Sequence, residues 1–336
     1  MNFFVFCLAA FSLNSLDRVY KCIKFSIYGA LIASVYVFVE KMIGYNFFSS
    51  FADLNTNIGI VAAENKYRDG VLRVQGGFEH PLALVQYYLV VIPLLLSGVF
   101  FKGKKNFIPF VMLIGFFFFI AASMAMVRTF YVALLLGLVL YFVIRFLWFG
   151  RSIFYANERF ILVLGLAPFV FFVALYKIYD MALLGSGAEI SSTMTRFAQL
   201  YNGFVGVSEQ PLLGHGIGMA TKVIVTVGEN YPDTFIIWNE AIDNLFLSVA
   251  LDSGIPAVLF YMMVFISSIY SGFTLFKNKA NHEIIRNMSM SMSIAIFCSF
   301  VSMSVLSIFT VLPFVFFVMG ALCAVSALSK SNKLEL

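Results

Sequence analysis

Residues 107–149 have the sequence FIPFVMLIGFFFFIAASMAMVRTFYVALLLGLVLYFVIRFLWF, and this stretch decides the fold class. It holds two charged side chains, Arg128 and Arg145, in two apolar runs of about twenty residues each. A helix needs roughly 20 apolar residues to cross the hydrocarbon core of a bilayer. The stretch therefore predicts two membrane-spanning helices joined by a short turn that carries Arg128.

The composition of the whole chain extends this pattern. Of the 336 residues, 61% are hydrophobic and 12% are charged, and the mean hydropathy is +0.94. Soluble domains have about 45–50% apolar and about 25% charged residues, so a soluble globular protein, a disordered tail and a coiled coil are all excluded. We predict an all-α polytopic membrane protein with a single transmembrane domain over residues 1–336 and about nine membrane-spanning helices. The predicted spans are 1–13, 23–39, 82–101, 107–126, 129–149, 160–178, 255–276, 288–308 and 310–328.

The first of these runs is short for a span, so we expect either an atypical first helix or further residues before Met1. Two hydrophilic segments are long, 41–81 and 179–254. Fourteen of the 22 basic residues lie in the short connections or in the span ends beside them, with only four of the 17 acidic residues. Basic residues mark cytoplasmic loops, so we predict that both long segments are outer loops and that the C-terminus is cytoplasmic. This orientation accounts for the net charge of +5 with the lipid bilayer as partner and no nucleic acid.

The cysteines and histidines predict no metal site and no cofactor. The four cysteines lie in or beside apolar runs, and none has the spacing of a zinc or disulfide motif. The three histidines are far apart in the chain, and a shared metal would need them to converge from separate loops.

The second outer loop carries four short motifs, and these are the candidates for chemistry. They are Thr195-Arg196-Phe197, Pro211-Leu-Leu-Gly-His-Gly-Ile-Gly218, Asp243-Asn-Leu-Phe-Leu247 and Leu251-Asp-Ser-Gly-Ile-Pro256. Residues 241–252 predict a short interfacial helix that Gly254 and Pro256 interrupt before the next span. Asp243 is then either a helix N-cap or a catalytic group. No strand precedes the second motif and its spacing is not that of a P-loop, so Gly214, Gly216 and Gly218 are interpreted as turn residues.

Two further motifs precede this loop. Arg73-Val-Gln-Gly-Gly-Phe-Glu-His-Pro81 lies at the end of the first outer loop, where His80 is interpreted as a helix-start residue. Met126-Val-Arg-Thr129 lies at the outer start of a predicted span. In this order, the motifs resemble the landmarks of the O-antigen polymerase/ligase family: R-x-x-G-x-F-x-H-P, S-R, an arginine, PLLGxGxG, (H)NxxL and E/D-x-G. The resemblance covers about residues 70–265.

The resemblance implies an inverting glycosyltransferase at the outer face of the bacterial cytoplasmic membrane. Its donor would be an oligosaccharide linked through diphosphate to undecaprenol, its acceptor would be a sugar hydroxyl, and a chain-length regulator is an expected partner. A diphosphate leaving group needs cations, and guanidinium groups bind phosphate in a bidentate manner. Arg73, Arg128 and Arg196 are the candidates, with Arg68 less well placed. The acceptor hydroxyl needs a base that accepts its proton, and the motifs leave four candidates open: His215, Asp243, Glu240 and Glu209.

One departure from the family pattern bears on the reaction. Ligases of the family commonly have His directly before the Asn of HNxxL, and this chain has Asp243. We therefore predict a polymerase of polysaccharide repeat units, with a ligase as the alternative. A lipid-linked oligosaccharide flippase or other transporter is the alternative from another class. Transporters place charges at mid-membrane, whereas the polar residues here lie in the two outer loops.

Overall fold

Helices make up about four fifths of the residues that the computed structural model describes, which are 2–48, 66–68, 70–98, 108–149, 187–230, 242–306 and 309–330. These ranges contain ten α-helices and one two-stranded hairpin. The helices are α1 Asn2–Ser12, α2 Leu16–Ile43, α3 Pro81–Leu94, α4 Ile108–Ser123, α5 Arg128–Phe149, α6 Gly187–Glu209, α7 Ala220–Asn230, α8 Leu245–Lys277, α9 Glu283–Met303 and α10 Leu312–Lys330. The antiparallel hairpin pairs β1, Lys66–Arg68, with β2, Val71–Arg73. A single 3₁₀ turn, Leu95–Ser97, extends α3.

Five of the described helices are long and apolar enough to cross a membrane: α2, α5, α8, α9 and α10. Three shorter apolar helices cover Asn2–Ser12, Pro81–Ser97 and Phe110–Ser123. The prediction of an all-α membrane protein is therefore confirmed. Eight of the nine predicted spans coincide with these helices, and the ninth, 160–178, lies outside the described residues.

Helix ends follow the local sequence. Ser15 caps α2 by accepting a hydrogen bond from the amide of Arg18 at 3.4 Å, and Gly44 ends it with a left-handed φ of 76°. His80 caps α3, because its Nδ1 accepts from the amide of Leu82 at 3.1 Å and Pro81 occupies the first helical position. Ser and Gly are favoured at these positions, and proline is favoured at a first helical position, where no intrahelical N–H partner is needed. His80 is thus the helix-start residue that the sequence predicts.

The chain divides into two compact units. The first unit comprises Met1–Ala174, Ser268–Ser299 and Phe309–Leu336, and the second comprises Leu175–Ser267 and Phe300–Ile308. In the first unit, helices approach each other at small residues. A Cβ atom added to Gly320 of α10 would lie 2.8 Å from the Cβ of Ala9 in α1. Membrane helices commonly associate through such close contacts, since lipid is as apolar as their side chains.

The described helices of the second unit are α6, α7, the part of α8 up to Ser267 and the last residues of α9. Its core is entirely aliphatic and consists of Ala198, Val207, Ala220, Val223, Ile224, Val227, Ile242, Leu247, Ala250 and Leu251. The sequence predicts only one short helix in this region, so α6 and α7 are helices that it did not predict. The predicted break is present: α8 is kinked at Gly254, where φ is 82° and ψ is 172°.

Candidate active site

Two of the sequence motifs in the second unit are joined by their backbones. We call Pro211–Gly218 the glycine loop and Leu251–Pro256 the span-entry turn. The amides of His215, Gly216 and Ile255 donate to the carbonyl oxygens of Leu251, Asp252 and Pro211, at 2.7, 3.0 and 2.8 Å, respectively. Three hydrogen bonds between main-chain groups fix the register of the two segments. The backbone positions from which their side chains extend are therefore fixed relative to one another.

Two glycines make this close approach sterically feasible. A Cβ atom on Gly214 would lie 2.5 Å from the amide nitrogen of Ser253, and a Cβ atom on Gly254 would collide with the carbonyl of Leu212. Both residues also have left-handed backbones, with φ of 66° and 82°. Glycine alone combines this conformation with the absence of a side chain. Gly216 and Gly218 also have positive φ, but a Cβ on Gly218 would meet no atom within 4 Å.

The span-entry turn also holds α7. Asp252 Oδ1 accepts a hydrogen bond at 2.8 Å from the amide of Ala220, the first residue of α7. The first amides of a helix lack intrahelical partners, and a carboxylate there interacts favourably with the helix dipole. One turn therefore fixes both the glycine loop and α7, although about thirty residues separate Asp252 from Ala220 in sequence.

His215 is positioned by α6. Its Nε2 lies 2.8 Å from the carbonyl oxygen of Gly206, in the last turn of that helix, where carbonyls lack intrahelical partners. A carbonyl can only accept, so Nε2 donates. In the neutral ring Nδ1 then has the lone pair that can accept a proton.

His215 lines a pocket of about 340 Å³. Glu209 lies in the same pocket, so two of the four predicted base candidates are brought together. Three polar side chains of α7 that the motifs did not indicate also line it: Lys222, Thr226 and Asn230. Their spacing of four residues places them on one helix face, a signal that the sequence contains. The remaining lining residues are Met219, Val223 and Val227.

This lining suits a sugar chemically. A sugar ring presents hydroxyl groups at its edge and C–H groups on its faces. The pocket is lined by hydrogen-bonding side chains, among them the positively charged Lys222 and the negatively charged Glu209, and by apolar side chains. Its volume lies in the range of small-molecule sites.

Arg196 and Asp243 form an ion pair in the same unit. Arg196 Nε and Asp243 Oδ2 are 3.1 Å apart, and the side chains are 37% and 33% exposed. Gln199 Oε1 accepts from the amide of Asp243 at 3.1 Å. Partly exposed ion pairs stabilise a fold by only about 0–1 kcal/mol. The contact therefore matters for where it holds the guanidinium rather than for stability.

The structure corrects one interpretation of Asp243. The N-cap of α8 is Asn244, whose Oδ1 accepts from the amide of Leu247 at 3.0 Å. Asp243 is not the cap, because its carboxylate is turned to Arg196. A third candidate base, Glu240, lies outside the described residues.

In the first unit, Arg73 is anchored beside the start of α5. Its Nε donates to the carbonyl of Ala125 at 3.1 Å. Arg128 follows Ala125 by three residues and is the first residue of α5. Arg73 and Arg128 therefore lie at the same end of α5. Met126, which lies between Ala125 and Arg128 in sequence, has a left-handed φ of 55°, an uncommon conformation for a residue with a side chain.

The loop after β2 is fastened by a buried carboxylate that the sequence motifs did not indicate. Glu40, 1% exposed, accepts from the amides of Gln75 and Gly76 at 3.1 and 2.7 Å. Lys41 Nζ donates to the carbonyl of Leu72 at 2.8 Å. The end of α2 thus fixes the segment that carries Arg73. A buried carboxylate needs such partners, because an unpaired buried charge is costly.

Two comparisons bear on the identity of this chain. The family model described as O-antigen ligase matches residues 113–262, which include Arg128 and every motif of the second unit. A protein of Salmonella muenchen described as an O-antigen polymerase is 27% identical over 233 residues, which cover 65% of this chain and 51% of the relative. The chain spans about half the length of this curated relative. The resemblance to the O-antigen polymerase/ligase family is confirmed.

The join between the glycine loop and the span-entry turn predicts different costs at two glycines. Gly214→Ala should lower the free energy of unfolding for two reasons. The left-handed backbone costs about 1 kcal/mol for a residue with a side chain. The overlap of the new Cβ atom with the main chain of Asp252 and Ser253 adds about 1–3 kcal/mol. Gly218→Ala carries the strain alone and serves as the matched control. We expect a clearly lower melting temperature in detergent for the first variant than for the second. Equal melting temperatures would contradict the backbone join.

Proposed function

We propose, from its resemblance to the O-antigen polymerase/ligase family, that this chain polymerises lipid-linked polysaccharide repeat units at the outer face of the bacterial cytoplasmic membrane. Three findings support the proposal. The motifs of both outer segments occur in the family order, the family model matches the region that contains most of them, and a relative is described as an O-antigen polymerase.

The reaction is an inverting glycosyl transfer. A sugar hydroxyl of the acceptor attacks the anomeric carbon of the donor, and a new C–O bond forms. The bond between that carbon and the diphosphate oxygen breaks, and undecaprenyl diphosphate leaves with the electron pair. The proton of the hydroxyl passes to a base. The chain must therefore supply cations for the leaving group and a proton acceptor for the nucleophile.

Arginines are the proposed cations that bind the leaving diphosphate. The contact that best supports this proposal is an ion pair. The ion pair between Arg196 and Asp243 joins two family motifs that are separated by more than forty residues in sequence. Holding a guanidinium in place before substrate arrives favours stabilisation of charge that develops on the leaving diphosphate. Asp243 then acts as a positioning residue through Arg196. Arg73 and Arg128 are proposed to bind diphosphate oxygens for the same chemical reason.

His215 is the proposed base. Its Nε2 is used by Gly206, which leaves Nδ1 as the proton-accepting atom of a ring that is fixed in place. The pocket beside it would hold the acceptor sugar, with Lys222, Thr226 and Asn230 contacting hydroxyl groups. Glu209, in the same pocket, and Glu240 are alternative bases. Asp243 could act as a base only after its ion pair with Arg196 is broken.

A ligase is the second candidate, because the matching family model is described as O-antigen ligase. The two activities share the donor and the leaving group and differ in the acceptor. Asp243 in the position where family ligases commonly have His favours the polymerase.

The ion pair predicts a non-additive pair of variants. Arg196→Ala removes one charged donor, which typically costs about 10²–10³ in rate. Asp243→Ala should cost less, and the double variant should be no slower than Arg196→Ala, because Asp243 acts through Arg196. Rates of glycan extension in membranes measure this, and Arg18→Ala, an exposed arginine outside the site, is the matched control. A double variant slower than both singles would assign Asp243 a role of its own.

Deletion of the gene in its host separates the activities. We expect the long-chain ladder of surface polysaccharide to collapse to a single repeat unit when glycans are separated by size. The intact gene should restore the ladder, and alleles with Arg128→Ala or Arg196→Ala should not. Full-length polymer that stays on undecaprenyl diphosphate would instead identify a ligase.

A further inference from the structure

Helix α6 presents an apolar face outward. From Met194 to Phe204, every exposed residue of the helix is apolar or aromatic, with exposed fractions from 38% at Leu200 to 69% at Phe204. These residues recur three or four positions apart and therefore lie on one side of the helix. They are Met194, Phe197, Leu200, Tyr201 and Phe204, and we call them the apolar stripe.

The opposite face of α6 carries polar groups into the protein. Gln199 and Asn202 are buried, and each has a partner: Gln199 accepts from the amide of Asp243, and Asn202 donates to the carbonyl of Ile224. A surface helix in water has the reverse arrangement, with apolar residues inward and polar residues outward. An outward apolar face of this extent marks an interaction with a protein or a membrane.

The glycine loop adds three aliphatic side chains that are among the most exposed large hydrophobic side chains of the described residues. Leu212, Leu213 and Ile217 form the loop tip, with exposed fractions of 71%, 85% and 93%. Gly214 and Gly216 lie between them, and the backbone of the loop is fixed by the span-entry turn. The exposure is therefore a property of a rigid turn.

The position of the loop tip along α8 follows from its backbone contacts. The amide of Ile255 donates to the carbonyl of Pro211, and Gly254 packs against Leu212. Gly254 is the kink of α8, and beyond it α8 is an apolar helix long enough to cross the membrane. Its exposed residues there include Leu259, Phe260 and Met263. The loop tip thus lies beside the residues at which the long apolar part of α8 begins.

We propose that the apolar stripe and the loop tip lie in the bilayer itself, at the boundary between headgroups and acyl chains of the leaflet where α8 begins. The occupant is phospholipid. The argument rests on the continuity of the loop tip with the apolar surface of α8 and on the inverted faces of α6. Interfacial helices bury an apolar face in this region while their polar groups avoid it. The segment 187–217 is then an interfacial element rather than a loop in water.

This placement has a consequence if the proposed function holds. Glu209 ends α6 and His215 lies between two residues of the loop tip, so the pocket would stand directly at the membrane surface. A lipid-linked sugar is attached within a few bonds of that surface. The interfacial placement itself does not depend on any catalytic activity.

Single tryptophan reporters test the placement. Trp148 and Trp238 are first replaced by Phe. Phe204→Trp and Leu213→Trp report on the stripe and the tip, and Glu229→Trp, at an exposed position of α7, is the matched control. The proteins are reconstituted in phosphatidylcholine vesicles with or without bromine atoms on the upper part of the acyl chains. Iodide in the buffer serves as the water-phase quencher.

We expect bromolipid to reduce the emission of the first two reporters about twofold or more, because interfacial helices bury their apolar face about 5–10 Å deep. Iodide should quench only the reporter at 229. Quenching of the first two by iodide would place them in water, and quenching by neither reagent would place them under protein. Either result overturns the proposal.

If Leu213→Trp lowers the melting temperature, Ile217→Trp provides a second reporter of the loop tip. The readout is independent of polymer formation. A chain that fails to polymerise can still show the expected quenching, and an active chain can still refute it.

Discussion

The second unit depends on the backbone join between the glycine loop and the span-entry turn. Its three hydrogen bonds connect segments that are some forty residues apart, and Gly214 and Gly254 allow the main chains to touch. The join also fixes α7 through Asp252 and places the loop at the start of the membrane-spanning part of α8. A site built on such a join needs few further contacts to keep its geometry.

The polar residues of the second unit that are proposed for chemistry also hold structural elements together. His215 satisfies an end carbonyl of α6 through one ring nitrogen and thereby fixes the orientation of the other. Asp243 holds Arg196 and is itself held by Gln199. In the first unit, Glu40 holds the loop that follows Arg73 by accepting hydrogen bonds from two of its amides. Such supporting contacts are what keep a catalytic group within the small tolerance that catalysis demands.

The sequence predicted the membrane helices well and the second unit poorly, for a physical reason. A span requires about twenty apolar residues whatever its neighbours are, so runs such as 129–149 are recognisable alone. Helix α6 mixes polar and apolar residues and has its polar side inward. Because its mean hydropathy is low, the sequence predicted a hydrophilic loop there. Asp243, just before α8, and Ile224 of α7 supply the hydrogen bonds of Gln199 and Asn202, and those contacts are not visible in a linear pattern.

The candidate site shows the same division. The motifs located Arg196, His215 and the glycines, because rare residue types in a fixed order carry information without a structure. They did not show whether Asp243 caps α8, since Asn244 is an equally good cap and only the hydrogen bonds of the two side chains decide between them. Glu40 and Lys222 belong to no motif, and three-dimensional proximity alone connects them to the candidate residues.

The central claim is that this chain transfers glycans from a diphosphate-linked lipid. The direct measurement uses purified protein in proteoliposomes with an undecaprenyl-diphosphate-linked repeat unit. The account predicts products that grow by whole repeat units, with one undecaprenyl diphosphate released for each bond formed. A donor that remains uncleaved, or that only crosses the bilayer, would contradict it.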